Sequence, residues 1–172
     1  LLISIDGFGE LNDYIRYPSK WNDIDKNLIL LDEKHEEYRI SEIIVSTTVQ
    51  INNILHIDKL FDYLQKFNFV VKCPNLVSLF FPAYLAPSTL PRPLRILAKM
   101  KIDSLISNIK KREDIPDYMF KSFLGVASSF LKSDYAEDKY LGDFLQFTRE
   151  YDKNNNLDVL SVNPELKNFL VK

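Results

Sequence analysis

Cysteine is almost missing from this chain: of 172 residues only Cys73 is one. A single thiol excludes an internal disulfide, and it suits a reducing compartment, so a cytoplasmic protein is expected. It also excludes an iron–sulfur cluster held by this chain alone, because such clusters take several cysteine thiolates. Glycine is scarce too. Two of the 4 glycines, Gly7 and Gly9, fall in one turn. Charge imbalance is lacking: 22 basic and 24 acidic side chains leave a net of −2. That excludes the strong basic footprint of a nucleic-acid or anionic-lipid binder, so neither partner is expected. No apolar run is long enough to span a bilayer, so a membrane is not expected either.

What remains is a chain able to bury a large core. Hydrophobic residues make up 46% and aromatic ones 13%, which argues against disorder. The opening LLISI is a short apolar run that stops at Asp6-Gly7, the pattern of a buried strand ending at a functional loop. Trp21, Ile24, Leu28 and Leu31 then recur at helical spacing, predicting a helix over 20–34 that follows Pro18 with Ser19 as its cap. The β-branched run IIVSTTV predicts a second strand over 43–49, since a pleated surface accommodates side chains that a helix restricts. Ile57, Leu60, Phe61, Leu64 and Phe67 mark a second helix. Pro74 confines a third strand to Leu76–Phe81.

Strand, helix, strand, helix, strand implies parallel crossovers. Three such strands leave two raw edges, and the first residue already lies inside the first strand. A missing neighbour is therefore expected before it, and the chain reads as the back half of something larger. From Pro82 the pattern changes. Pro82, Pro87, Pro91 and Pro93 mark a linker, after which only helical stripes follow: Ile102, Leu105, Ile106 and Ile109; Met119, Phe123, Val126 and Phe130; Leu141, Phe144, Leu145 and Thr148. Asn154 to Asn156 close the third of these helices. Asn163-Pro164 then predicts a cap and a short final helix.

Chemistry is best sought at Ser4-Ile5-Asp6-Gly7. In parallel α/β folds ligands gather at the carboxyl ends of strands. Alternation places Ser4 and Asp6 on one face, where a hydroxyl and a carboxylate could hydrogen-bond a ribose. The alternative is structural: Asp6 caps a turn and Ser4 fills a small core position. Gly7-Phe8-Gly9 is no dinucleotide fingerprint, because the third glycine is missing and no helix is expected to start directly after it. Arg16, between Tyr14 and Tyr17, could clamp a carboxylate with its planar fork or simply stack at the surface. Thr47, Thr48, Gln50, Asn52 and Asn53 form a polar set at the end of the second strand. His35 and His56 lack companion ligands, so metal binding is not expected at either. Cys73 reads as a small core residue.

The run SIDGFGELNDYIRYPSKWNDIDKNLILL resembles the middle of radical S-adenosylmethionine (SAM) proteins, in particular those with a twitch domain. The matching residues are Ser4, Asp6, Gly7, Gly9, Tyr14, Arg16, Trp21 and Asn27. TTVQINNIL resembles that family's next strand through Thr48, Val49 and Asn53. FFPAYLAPSTLPRPLR resembles the segment leading to its terminal helices, and DFLQFTREYDKNN with NPELKNF resembles its closing helix and tail. Asn155 departs from the arginine expected there.

The resemblance implies an α/β fold: residues 1–85 as the C-terminal half of a partial (β/α)6 radical SAM barrel, with about three parallel strands, and 86–172 as a helical C-terminal extension. It implies an enzyme, incomplete and inactive as this chain alone, whose N-terminal barrel half carries a Cys-x-x-x-Cys-x-x-Cys loop for a [4Fe–4S] cluster and a Gly-Gly-Glu-Pro strand. SAM would be cleaved there to a 5′-deoxyadenosyl radical for modification of a substrate, a peptide or a small molecule. Ser4 and Asp6 would lie near the ribose, Arg16 near the methionine carboxylate, and Thr48 and Asn53 near the adenine or substrate. Two other readings stand beside it. One is a degenerate barrel half serving as a non-catalytic binding or scaffold module. The other is an unrelated α/β domain whose Asp6 binds a metal or sugar.

Overall fold

The computed structural model describes residues 1–131 and 140–170. Its strands β1 (Leu2–Ser4), β2 (Ile44–Val49) and β3 (Asn75–Ser78) form one parallel sheet in the order β1-β2-β3. Helices α1 (Glu10–Ile15) and α2 (Trp21–Glu33) connect β1 to β2. A single 3-10 turn and α3 (Ile57–Leu64) connect β2 to β3. The proline-rich segment forms two further 3-10 turns, followed by α4 (Arg92–Ile109), α5 (Asp117–Leu131), α6 (Leu141–Asn155), α7 (Val159–Val162) and α8 (Lys167–Leu170). The protein is a helix-rich α/β fold.

Alternation along the strands separates two unlike faces. Val45, Thr47 and Val49 are fully buried, and Ile5, Ile43 and Val45 pack with Leu28 of α2 and with Leu60, Leu64 and Phe67 in and after α3. On the other face the register sets Ser4 beside Ser46, Ser46 beside Asn75 and Thr48 beside Val77. There Leu2 and Val77 are 63% and 52% exposed, and Ser46 and Thr48 are half-buried. Parallel sheets ordinarily have both faces covered. Among the described residues, the second face is only partly covered, with Ile44 packed against the core and Leu2 and Val77 left exposed.

A second core joins sheet and tail. Val49 and Leu76 pack with Ala98 and Ile102 of α4, Phe123 of α5 and Phe144 of α6. Full burial of each large side chain contributes about 1.5–3 kcal/mol, which offsets the weak cohesion of so small a sheet. The stripes run as their spacing predicts: Ile102, Leu105 and Ile109 are buried, as are Met119, Phe123 and Val126. The Phe130 side chain lies outside the described residues. On the edge of β3, the Leu76 N–H donates to Ser122 Oγ of α5 at 3.1 Å.

Several local expectations change. A helix does start directly after Gly9, whose carbonyl accepts the N–H groups of Asn12 and Asp13 at 3.0 and 3.4 Å. Gly9 has φ 66°, a left-handed turn that glycine makes without a Cβ penalty. Ser19 does not cap α2; Lys20 holds that position without a side-chain bond. β3 runs earlier than predicted and ends at Ser78, leaving Phe80 and Phe81 72% and 86% exposed. Asn163 caps nothing with its side chain, which instead donates to the Asn52 carbonyl at 2.9 Å.

Candidate functional site at the carboxyl end of the sheet

Where β1 ends, the chain turns inward and buries Asp6, which is 5% exposed. Its Oδ1 accepts the Thr48 N–H at 2.7 Å, and its Oδ2 lies 2.9 Å from Arg16 Nε. Gly7 allows this close turn: a Cβ there would stand 3.0 Å from Leu11 Cγ and 3.2 Å from the Asn12 nitrogen. The Asp6 N–H donates to Asn12 Oδ1 at 3.0 Å, so the first turn of α1 holds the strand end in place. α1 carries the chain on to Arg16.

The end of β2 is tied to the same point. Asn53 Nδ2 donates to the carbonyls of Asp6 and Thr48 at 2.7 and 2.8 Å. Its Oδ1 accepts the Gln50 N–H at 2.8 Å. Asn53 is fully buried and stands behind the site as a clamp between the two strand ends. Thr47 Oγ1 donates to the Ile5 carbonyl at 2.7 Å, on the helix-covered face. Asp6, Arg16, Thr48 and Asn53 thus come together. Ser4 does not join them: it is exposed on the open face of β1.

Beside this cluster is a cavity of about 410 Å³, walled by Asp6, Arg16, Thr48 and Asn52 on the sheet side. That volume falls in the range of small-molecule sites. The tail contributes Phe147 and Tyr151 of α6 to the same lining, together with Tyr14 of α1. The Tyr14 hydroxyl donates to Asp152 Oδ1 at 2.8 Å, and Tyr151 donates to the Tyr14 carbonyl at 3.0 Å. Burial, and next the adjoining Asp152 carboxylate, raises the Tyr14 phenol well above its ordinary range. Tyr14 is therefore a neutral hydrogen-bonding group here. Asp152 Oδ2 also accepts the Val159 N–H at 3.0 Å, so one carboxylate fastens α1, α6 and α7.

The remaining polar groups lie apart. His56 is 2% exposed, with Nε2 at 3.3 Å from Asn163 Oδ1 and 3.4 Å from Glu165 Oε2. Burial lowers its pKa, although Glu165 pulls the other way. His35 stacks on Phe69 with centroids 3.6 Å apart. Cys73 is fully buried, and burial pushes its thiol up to about 12. A thiol so placed is a core residue rather than a ligand or nucleophile. No group of three or more metal-ligating side chains occurs among the described residues. The one cysteine does not fit the needs of a [4Fe–4S] cluster.

Phe147 and Tyr151 escape the sequence reading as site residues, because only the docking of the tail brings α6 to the cavity that Asn52 also lines. Asp32 escapes it altogether, though a signal exists: it follows Leu28 by four residues and so falls on the buried face of α2. No family model matches the chain, and neither a curated protein nor a solved structure is found similar to it. Among the described residues, no helix is long and apolar enough to cross a membrane.

Proposed function

We propose that this chain is the C-terminal half of a partial (β/α)6 barrel of the radical SAM kind, and that its strand-end cavity binds SAM. The observation that carries this reading is the Asp6–Arg16 pair. Its carboxylate lies buried at the end of β1, fixed by the Thr48 N–H, and its partly exposed arginine borders a cavity of about 410 Å³. The open sheet face and the exposed β1 support a barrel whose lumen is closed by further strands. The N-terminal half would be the partner that supplies them.

In this reading Asp6 orients Arg16, and the Arg16 fork holds the methionine carboxylate of SAM by charge-assisted hydrogen bonds. Thr48 contributes to the polar wall, and Asn53 holds both strand ends in register. When bound, SAM would supply a 5′-deoxyadenosyl group. The ligands of a [4Fe–4S] cluster would belong to the N-terminal half, since this chain offers only Cys73. The enzyme's substrate would approach from the open sheet face.

Calorimetric titration of the full chain with S-adenosylhomocysteine tests the reading, since that ligand keeps the carboxylate and lacks the reactive sulfonium. A charge-assisted contact contributes about 1.5–3 kcal/mol, so Arg16→Ala should weaken binding roughly tenfold or more. Arg16→Lys should fall between, keeping the charge without the fork. Equal affinity in all three proteins would overturn the proposal.

A further inference from the structure

Helix α1 is too short to place itself. It has 6 residues, no side-chain cap at its amino end and no basic residue in its last turn, and isolated helices shorter than about 12 residues are marginal in water. Its position therefore comes from what holds it. At the amino end the hold is local, since Asn12 Oδ1 accepts the Asp6 N–H at 3.0 Å. At the carboxyl end, where Arg16 follows, the hold comes from the far end of the chain.

Tyr14 is the point of attachment. It is 3% exposed, and α6 holds both its side chain and its backbone. The hydroxyl donates to Asp152 Oδ1 at 2.8 Å, and the carbonyl accepts the Tyr151 hydroxyl at 3.0 Å. Asp152 is braced in turn: its Oδ2 accepts the Val159 N–H at 3.0 Å, and its carbonyl accepts the Leu157 N–H at 2.9 Å. Two residues beyond Tyr14, the Arg16 N–H donates to the Asn12 carbonyl at 2.8 Å, and the Arg16 carbonyl accepts the Ser19 N–H at 2.9 Å. The Arg16 backbone therefore moves with Tyr14.

Arg16 needs this hold. Its Nε lies 2.9 Å from Asp6 Oδ2, yet the N–H is not aligned for a hydrogen bond. Such a contact fixes distance and leaves direction open, whereas bidentate recognition of a carboxylate by the planar fork depends on direction. From this we infer that Asp152 is a positioning residue: acting through the Tyr14 hydroxyl, it sets where Arg16 presents its guanidinium at the cavity. Asp152 does not itself line that cavity, and the link spans 138 residues of chain. Helix α6 then tunes anion affinity at the strand ends and is not merely a support for the sheet. The inference rests on the SAM reading for one point alone, the identity of the anion as the methionine carboxylate.

Two readouts on the full chain test this, and the first needs no ligand. The Arg16 Nε–H resonance is assigned by its loss in Arg16→Lys. It should exchange with solvent about tenfold faster in Asp152→Ala and in Tyr14→Phe, as the end of α1 opens locally. Asp152→Asn keeps an oxygen for the Tyr14 hydroxyl and should recover part of the protection. Leu28→Ala, which loosens the separate core on the helix-covered face of the sheet, should leave the resonance as in the parent. A signal unchanged in both Asp152→Ala and Tyr14→Phe overturns the inference. So does an equal acceleration in Leu28→Ala.

The second readout is calorimetric titration with S-adenosylhomocysteine. Asp152→Ala should weaken binding about fivefold when Arg16 is present and leave it unchanged in the Arg16→Ala background, because residues acting through one another are not additive. Equal losses in the two backgrounds overturn the inference and leave Asp152 as structure only. S-adenosylhomocysteine binding that depends on Arg16, with an unmoved Arg16 resonance, keeps the SAM reading and overturns this one. A resonance that responds to Asp152→Ala and Tyr14→Phe, with no S-adenosylhomocysteine binding by the parent, does the reverse.

Discussion

Two buried aspartates, at opposite ends of the same sheet, receive very different treatment. At the amino end Asp32 is 8% exposed, and its carboxylate accepts three backbone N–H groups, from Asn68, Phe69 and Val70, at 3.0, 2.7 and 2.9 Å. Burial is the largest influence on its pKa and works against ionisation, but the three N–H donors together outweigh it and hold the pKa below 3.8. At the carboxyl end Asp6 is as buried, yet it accepts one backbone N–H and pairs with an arginine whose side chain stays 34% exposed. The first carboxylate closes a loop against the Ile43–Val70 bridge. The second holds a cation at the rim of a cavity. The first carboxylate is saturated within the fold; the second shares a partly exposed cation.

Asp32→Ala would widen that contrast most. Three N–H groups would lose a charged acceptor, at about 3 kcal/mol of unfolding free energy, read by urea denaturation. Asp32→Asn should recover part of it; a loss under 1 kcal/mol for alanine would refute the structural role. Acid titration adds the sign. Because the folded pKa lies below 3.8, the contribution is fully present above that pH. It is lost as pH falls through the folded value, so the variant should show a shallower acid loss than the parent.

Asp6→Asn should cost less in stability, about 1–2 kcal/mol, because the amide can still accept the Thr48 N–H and Arg16 is partly solvated. Its larger effect should fall on S-adenosylhomocysteine affinity, as Arg16 loses its orienting partner. A variant as tight as the parent would place Asp6 with Asp32, as structure only.

His56 gives a smaller effect, of known direction. Burial lowers its pKa below 6.5, against the pull of Glu165, with Lys59 and Lys101 reinforcing the depression and Asn163 opposing it. The unfolded chain therefore binds the proton more readily, so stability is complete above pH 6.5 and declines as pH falls toward the folded pKa. Thermal melts between pH 7.5 and 5.5 should show that decline, and His56→Gln should flatten it. A parent melting temperature independent of pH over that range would contradict it. Ser4→Ala is the smallest test, within about 0.5 kcal/mol, since Ser4 sits exposed on the open face. A substantial loss would mean that this face is already covered.

Periodicity carried much of this fold, because periodicity is local. The β-branched run over 43–49 became β2 within one residue, and Trp21–Glu33 became α2 as its apolar spacing demands. α1 was hidden because its start depends on a glycine turn and on Asn12, whose side chain serves Asp6 instead of favouring the helix. Phe80 and Phe81 read as strand, yet β3 has already ended before them.

Of the candidate site, the resemblance named Ser4, Asp6, Arg16, Thr48 and Asn53 as one neighbourhood, and all but Ser4 come together, since parallel strands bring their carboxyl ends to one edge whatever the details. Which of them faces a cavity and which is spent as a clamp depended on hydrogen bonds across 42 to 47 residues of chain, and no local pattern encodes those. Asn52, Phe147 and Tyr151 of the cavity lining lie still further apart in sequence. Their juxtaposition follows from apolar packing of α6 on the tertiary core, through Phe144. Local spacing determined the elements and their polar ends; only the closing of the tail over the sheet decided that those ends enclose a space.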